Sequence, residues 1–142
     1  MGIFDRLFGN DGACPPLDPS SAAAAGIEAR IGQIEPFVRR VQALVELVPT
    51  ATAVYAYLGK PPVDFGMAWF ENGCEVSLAS LKQDQGLAQG RMTILSKKLG
   101  AAYKEHKGAA RSWTTIAGKR VIVTPSETLA EKIRQAIDEA VS

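Results

Sequence analysis

The dipeptide Asn72-Gly73 lies between two alternating runs of residues and constrains the fold more than any other feature of the sequence. A two-residue hairpin turn of type I′ needs a positive φ at both central residues, and Asn-Gly meets this need well. We therefore predict an antiparallel hairpin with its turn at this dipeptide. The predicted register pairs Glu71 with Cys74, Trp69 with Val76, and Met67 with Leu78.

Paired residues of a hairpin point to the same side of the sheet, so this register predicts two different faces. The first face is apolar and is predicted to be core; it carries Phe65, Met67, Trp69, Cys74, Val76 and Leu78. The second face is mostly small: Gly66, Ala68, Phe70, Glu75, Ser77 and Ala79. Another element could approach the second face closely, either the first helix or a second subunit. Its candidate partner-binding residues are Gly66, Ala68, Phe70 and Ala79.

Cys14 and Cys74 are the two cysteines of the chain, and both are predicted to be reduced thiols. In the predicted register Cys74 lies on the apolar face, opposite Glu71. Apolar surroundings and a neighbouring carboxylate both disfavour the thiolate that a nucleophile requires. The sequence therefore predicts that Cys74 is a small core residue rather than a catalytic nucleophile.

A run of β-branched residues with heptad spacing predicts the first helix of the domain. Its members are Ile27, Ile31, Ile34, Val38, Val41, Val45 and Val48. Pro36 lies inside the run, where it removes a backbone hydrogen bond and predicts a kink. Two interpretations stay open: the helix lies across a sheet, or its apolar residues form a helix–helix seam in a dimer.

Residues 10 to 26 are rich in Pro, Ser and Ala and are predicted to be a flexible linker. The linker separates a short amphipathic peptide, residues 1 to 9, from a domain of residues 27 to 142. In a helix, the apolar face of this peptide would carry Ile3, Phe4, Leu7 and Phe8. The peptide either docks on a partner groove or a membrane surface, or packs on its own domain.

Residues 84 to 107 predict a middle helix that begins at an Asp84 cap. Its inner stripe is Ala88, Met92, Leu95, Leu99, Ala102 and His106, and its basic patch is Lys97, Lys98, Lys104 and Lys107. This patch would suit an acidic partner or nucleic acid. A solvated face is the favoured interpretation, because no aromatic residues alternate with the lysines.

The C-terminal part of the chain predicts a second hairpin and a last helix. The hairpin has either a type II′ turn at Gly118-Lys119, which pairs Ile116 with Val121, or a three-residue loop that ends at Gly118. The start of the last helix is predicted from a capping box of Thr124, Pro125 and Glu127.

The predicted order is therefore helix, three strands, helix, two strands, helix, in a single domain of the α+β class. Hairpins imply a mainly antiparallel sheet of five strands with helices packed on it. Over residues 27 to 141 this order resembles that of the class I type III secretion chaperones, which are small homodimers that bind extended segments of partner proteins. The resemblance implies a dimer and a protein partner, and it assigns no role to any individual residue.

The net charge and the absence of ligand motifs argue against several classes of function. The net charge of +1 gives the chain no global attraction to nucleic acid or to a membrane. His106 is the only histidine, whereas a zinc site needs three or four ligands. The glycines match neither the phosphate-binding nor the dinucleotide-binding motif. We therefore expect no metal and no cofactor, and the absence of a secretory signal pattern predicts a cytoplasmic protein.

Three functional hypotheses follow from the sequence. The favoured one is a non-enzymatic adaptor or chaperone-like domain, a homodimer that binds an unidentified protein partner and uses residues 1 to 9 as a docking peptide. The second is a small-molecule site or an enzyme between the sheet and the middle helix, formed by Tyr55, Tyr57, His106 and Cys74. The third is weak binding of nucleic acid or of an acidic partner through the basic patch.

Overall fold

The structure is a computed structural model that describes residues 14 to 106 and 110 to 142. The helices of this part are α1 (Ala22–Glu28), α2 (Ile31–Arg40), α3 (Leu78–Gln85), α4 (Gln89–Glu105) and α5 (Glu127–Val141). The strands are β1 (Val45–Pro49), β2 (Ala53–Lys60), β3 (Asp64–Glu71), β4 (Cys74–Ser77), β5 (Ser112–Ile116) and β6 (Lys119–Val123).

The six strands form one mixed sheet in the order β4-β3-β2-β1-β6-β5. The pair of β1 with β6 is parallel, and the other neighbours are antiparallel. The predicted α+β class is confirmed, but the predicted five-stranded sheet is wrong because β1 is an additional central strand. The predicted element order, on which the resemblance to the chaperones rests, is wrong at the same point. Four strands follow the N-terminal helices instead of three.

Strand β1 replaces the last part of the predicted first helix. Val45 and Val48 were assigned to a heptad seam, but residues 45 to 47 also alternate in strand fashion and the segment includes β-branched side chains. Val45 and Leu47 face one side of the sheet and Val48 faces the other. A short run can match both periods, and here pairing with two neighbouring strands decides in favour of the strand.

Helices cover both faces of the sheet. On one face, α3, α4 and α5 pack against a cluster that includes Tyr57, Met67 and Trp69. On the other face, Ile27 of α1 and Ile34 and Val38 of α2 pack against the sheet. The interpretation of the first helix as lying across a sheet is therefore confirmed for this part of the heptad run. These three residues are 0 to 5% exposed within one chain and do not form an exposed seam.

The first hairpin forms at the predicted turn. Asn72 and Gly73 have φ values of 53° and 74°, and β3 and β4 pair Glu71 with Cys74 and Trp69 with Val76. The predicted pair of Met67 with Leu78 does not form, because the chain turns into α3 after Ser77. The Ser77 hydroxyl caps this helix by accepting a hydrogen bond of 3.1 Å from the backbone N–H of Ser80.

The second hairpin has a different register from the predicted one. Its turn is Ala117-Gly118, with φ values of 54° and 76°, and it pairs Ile116 with Lys119 rather than with Val121. Positive φ at both residues is the type I′ geometry that matches strand twist. Ala117 is not a residue that sequence rules place there, since a Cβ disfavours left-handed backbone.

Two helix starts also differ from prediction. The predicted middle helix is two helices, because Gly86 adopts a left-handed φ of 64° and ends α3, so Asp84 is not a cap. The last helix begins at Glu127 with Ser126 as its N-cap, whereas Thr124 was predicted. Thr124 instead donates its backbone N–H to the carbonyl of Leu47 at 2.8 Å.

Part of the predicted linker is bound to the domain. The backbone N–H of Leu17 donates to Trp113 O at 2.7 Å, and the N–H of Trp113 donates to Pro15 O at 3.0 Å. These bonds add residues 15 to 17 to the outer edge of β5 as an isolated parallel bridge. The linker prediction also overlaps α1, whose N-cap is Ser21.

The burial of Phe70 predicts a large loss of stability on truncation. Phe70 is 0% exposed, so Phe70→Ala should lower the free energy of unfolding by about 3–5 kcal/mol in urea denaturation. Val63→Ala is the control, because Val63 is 91% exposed and its truncation should change stability by at most about 0.5 kcal/mol. An equally small effect of Phe70→Ala would show that this face of β3 is not core.

Candidate functional site

The small-residue face of the first hairpin is covered by the chain's own helices. Ala68 and Phe70 are both 0% exposed, and the Phe70 ring meets Phe37 of α2 edge-on, with ring centroids 5.1 Å apart. Gly66 on β3 is half-buried, and Ala79 is exposed on α3 rather than on a strand. The four candidate residues therefore do not form one open surface, and α2 fills the place considered for a second subunit.

Other predicted site residues lie outside the described part of the chain. They are Ile3, Phe4, Leu7 and Phe8 of the N-terminal peptide and Lys107 of the basic patch. The docking role of that peptide stays a prediction.

The rest of the basic patch lies on α4. Lys97, Lys98 and Lys104 are exposed, and the Lys98 ammonium pairs with Glu139 of α5. The hydrogen bond from Lys98 lowers the pKa of the Glu139 carboxyl. A second pair, Lys132 with Glu105, also joins the two helices, so acidic side chains interrupt the positive surface of α4.

The residues of the small-molecule hypothesis have separate surroundings. Tyr57 is 1% exposed and donates its hydroxyl to Leu99 O of α4 at 2.9 Å. Burial, with a smaller effect of Glu46, raises the pKa of Tyr57 well above its usual value. Cys74 is exposed at the start of β4, so its predicted core position is wrong although its register is right. The helices of that face do not bury the hairpin tip, and His106 is the half-buried C-cap of α4.

Tyr55 lies beside an open cleft of about 440 Å³ that is also lined by Glu71, Arg134 and Asp138. The Arg134 Nε donates to the Tyr55 hydroxyl at 3.2 Å, and its guanidinium pairs with Glu71. Burial raises the pKa of Tyr55. Neither Tyr57, Cys74 nor His106 lines this cleft, so the structure does not bring the four residues of the hypothesis together.

A polar network that sequence reasoning missed centres on Glu46 of β1. Its Oε1 accepts hydrogen bonds of 2.8 Å from Arg111 and from the Tyr103 hydroxyl, and its Oε2 accepts one of 2.5 Å from Thr124. Burial and the Glu46 charge raise the pKa of Tyr103. The network joins β1 to α4 and to the segments around β5 and β6, and its donors saturate the carboxylate. No pattern in the sequence indicates this position, since a lone Glu between apolar residues ordinarily predicts a solvent-facing side chain.

A larger open cleft, of about 670 Å³, lies at one end of the sheet. Because β1 is parallel to β6 and antiparallel to β2, the starts of β1 and β6 meet the end of β2 there. We call it the sheet-end cleft. Its lining residues are Val38, Gln42, Ala43, Leu44, Val45, Gly59, Lys60, Asp64, Lys119, Arg120 and Val121.

Apolar side chains form the floor of the sheet-end cleft. Val38, Val45 and Val121 are 0 to 3% exposed, and Leu44 beside them is half-buried. Gly59 lines one side of the sheet-end cleft. Its backbone N–H donates a hydrogen bond of 2.8 Å to Leu44 O, and its φ is +96°. A Cβ at Gly59 would meet the carbonyl oxygen of Asp64 at 2.9 Å, so the position requires glycine.

The rim of the sheet-end cleft is cationic. Lys60, Lys119 and Arg120 oppose Asp64, so the local charge is 3 − 1 = +2. The Lys119 ammonium donates to the carbonyls of Val38 at 2.9 Å and of Val41 at 2.5 Å, where α2 ends. It thereby offsets the partial negative charge of this helix end.

Sequence reasoning missed the sheet-end cleft for a topological reason. Its cations come from the end of β2 and the start of β6, which only the unpredicted strand β1 brings together. Lys60 precedes the Pro61-Pro62 segment and Lys119 lies in the predicted turn of the second hairpin, and neither segment carries a ligand motif.

Comparisons with protein families, with curated proteins and with solved structures found no match to this chain. None of the described helices has the length and apolar character to cross a membrane. In residues 14 to 106 and 110 to 142, no group of three or more His, Cys, Asp or Glu side chains is placed to hold a metal ion.

Glu46→Gln should weaken the fold, because the neutral amide gives up charge-assisted hydrogen bonds to half-buried partners. We expect the free energy of unfolding to fall by about 1.5–3 kcal/mol in urea denaturation. Glu35→Gln is the matched control, since Glu35 forms an exposed ion pair with Arg39 at 3.9 Å. Its loss should lower the free energy of unfolding by at most about 0.5 kcal/mol. Equal effects of the two substitutions would contradict a structural role for the Glu46 network.

Proposed function

We propose that this chain is a non-enzymatic protein-binding domain of the adaptor or chaperone-like kind, and that a segment of its partner occupies the sheet-end cleft. One observation carries the proposal: the cleft combines an apolar floor of Val38, Val45 and Val121 with an open, cationic rim. Concave sites with an apolar base and a few polar groups are the usual form of binding sites.

The engagement of the aromatic hydroxyls supports a binding role over catalysis. The hydroxyls of Tyr57 and Tyr103 donate to Leu99 O and to Glu46 inside the fold, and the pKa of each is raised. A general acid or base works best when its pKa lies near the operating pH. These groups therefore favour a structural role.

The tethered peptide belongs to the same proposal. Residues 15 to 17, which follow this peptide by a few positions in the sequence, are hydrogen-bonded to β5 at the sheet edge. We propose that its apolar residues contact the partner, with contact to a membrane surface as the alternative. A cytoplasmic location is proposed on the basis of the exposed, reduced thiol of Cys74.

Homodimerisation is also proposed, without the heptad seam as its basis. Ile94 of α4 is 55% exposed and Val141 of α5 is 40% exposed, which makes them the apolar residues to test as a dimer contact. Light scattering after size exclusion should give twice the chain mass of 15.1 kDa, and Ile94→Glu should return the monomer. A monomeric wild type over a wide concentration range would contradict the dimer.

The binding site is tested by affinity capture from cytosol of the source organism. Leu44→Glu places a carboxylate at the apolar floor and should abolish capture of the partner that wild type retains. Ala51→Glu is the control, because it introduces the same carboxylate at an exposed residue that lines neither the sheet-end cleft nor the proposed dimer contact. Deletion of residues 1 to 9 should weaken capture.

Loss of the partner with Ala51→Glu and its retention with Leu44→Glu would contradict the proposed site. Both variants should keep the wild-type circular dichroism spectrum and unfolding midpoint, so that a folding defect is recognised.

A further inference from the structure

The charge of the sheet-end cleft specifies the partner further. We infer that the segment bound there is an acidic peptide stretch with an apolar side chain at its centre. This inference rests on the proposed protein-binding function and adds the chemistry of the partner.

The first step is the charge balance. The cleft carries three cationic side chains and one carboxylate, a local charge of 3 − 1 = +2, whereas the whole chain has a net charge of +1. The lining of the cleft is therefore positively charged in balance. Complementary charge on a partner favours its encounter and fixes its register.

The second step concerns the end of α2, which points its last carbonyls toward the cleft and would repel an anion. Lys119 donates to the carbonyls of Val38 and Val41 and offsets this negative helix end. The charge of Lys60, whose cross-strand partner is Asp64 on β3, then acts on a ligand without the opposing dipole of this helix end. Lys60 is exposed at the end of β2, and Arg120 lies over the Trp113 ring with its Cζ 4.0 Å from the ring centroid.

The third step concerns the apolar part. Leu44 is half-buried above the buried valines of the floor, and Val63, next to the lining residue Asp64, is 91% exposed. A volume of about 670 Å³ falls in the range of about 300–1,000 Å³ typical of ligand pockets. It suits a few side chains of an extended segment. A carboxylate at each side of an apolar residue would meet the rim while that residue covers the floor.

The experiment uses fluorescence anisotropy with the full chain and two labelled synthetic peptides. One has a Leu-Phe centre flanked by three glutamates on each side, and the other has lysines in place of the glutamates. The acidic peptide should bind, and the lysine peptide should not. Leu44→Glu should abolish binding, and Lys60→Glu should weaken it about tenfold.

Lys104→Glu is the matched control, because it makes the same charge change on α4, outside the cleft. The affinity of the Lys104→Glu variant for the acidic peptide should stay within about twofold of wild type if the local charges of the rim decide binding. Equal losses of affinity with Lys60→Glu and Lys104→Glu would show that net charge alone decides binding and would overturn the inference.

The remaining outcomes separate this inference from the proposed function. Preferred binding of the lysine peptide, blocked by Leu44→Glu, would overturn the acidic partner and keep the protein-binding cleft. No binding of either peptide up to millimolar concentration would also overturn the acidic partner, while affinity capture decides the function independently. Displacement of the acidic peptide by oligothymidylate with higher affinity would assign the surface to nucleic acid instead.

Discussion

The pairing of β1 with β6 is the interaction on which the rest of the structure depends. It is the parallel contact that joins the N-terminal strands β2, β3 and β4 to the C-terminal hairpin of β5 and β6. The same pairing directs Glu46 toward Tyr103, Arg111 and Thr124. It also brings the starts of β1 and β6 beside the end of β2, so the sheet-end cleft is a direct consequence of the sheet topology.

The two faces of the sheet make different kinds of contact with the helices that cover them. Helices α4 and α5 cover one face and use the tyrosine hydroxyls and Glu46 as internal hydrogen-bonding partners. Helices α1 and α2 cover the other face with apolar contacts such as Phe37 on Phe70. These polar groups are occupied within the fold, whereas the sheet-end cleft is a surface that retains both apolar and charged character. This division supports the proposal of a binding protein.

The turn of the first hairpin could be predicted from the sequence, whereas the Ala117-Gly118 turn and the long-range pairing could not. Asn72-Gly73 fixed the first hairpin, because two residues determine a type I′ turn. Residues 45 to 49 are compatible with the heptad pattern and alternate only over Val45, Glu46 and Leu47, and their neighbours in space decide in favour of the strand. The assignment of Cys74 to the core failed for a related reason, since register gives the side of the sheet but not the extent of the helices that cover it.

The position of the sheet-end cleft could not be predicted from the sequence either. Leu44, Lys60 and Lys119 are ordinary residues in three separate segments, and no spacing rule connects them. The most direct test of the account is a nuclear magnetic resonance titration of the ¹⁵N-labelled full chain with the acidic peptide. The account predicts that the largest amide shifts occur at Leu44, Gly59, Lys60 and Val121. Largest shifts at Lys97 and Lys104 of α4, with an unchanged cleft, would contradict it.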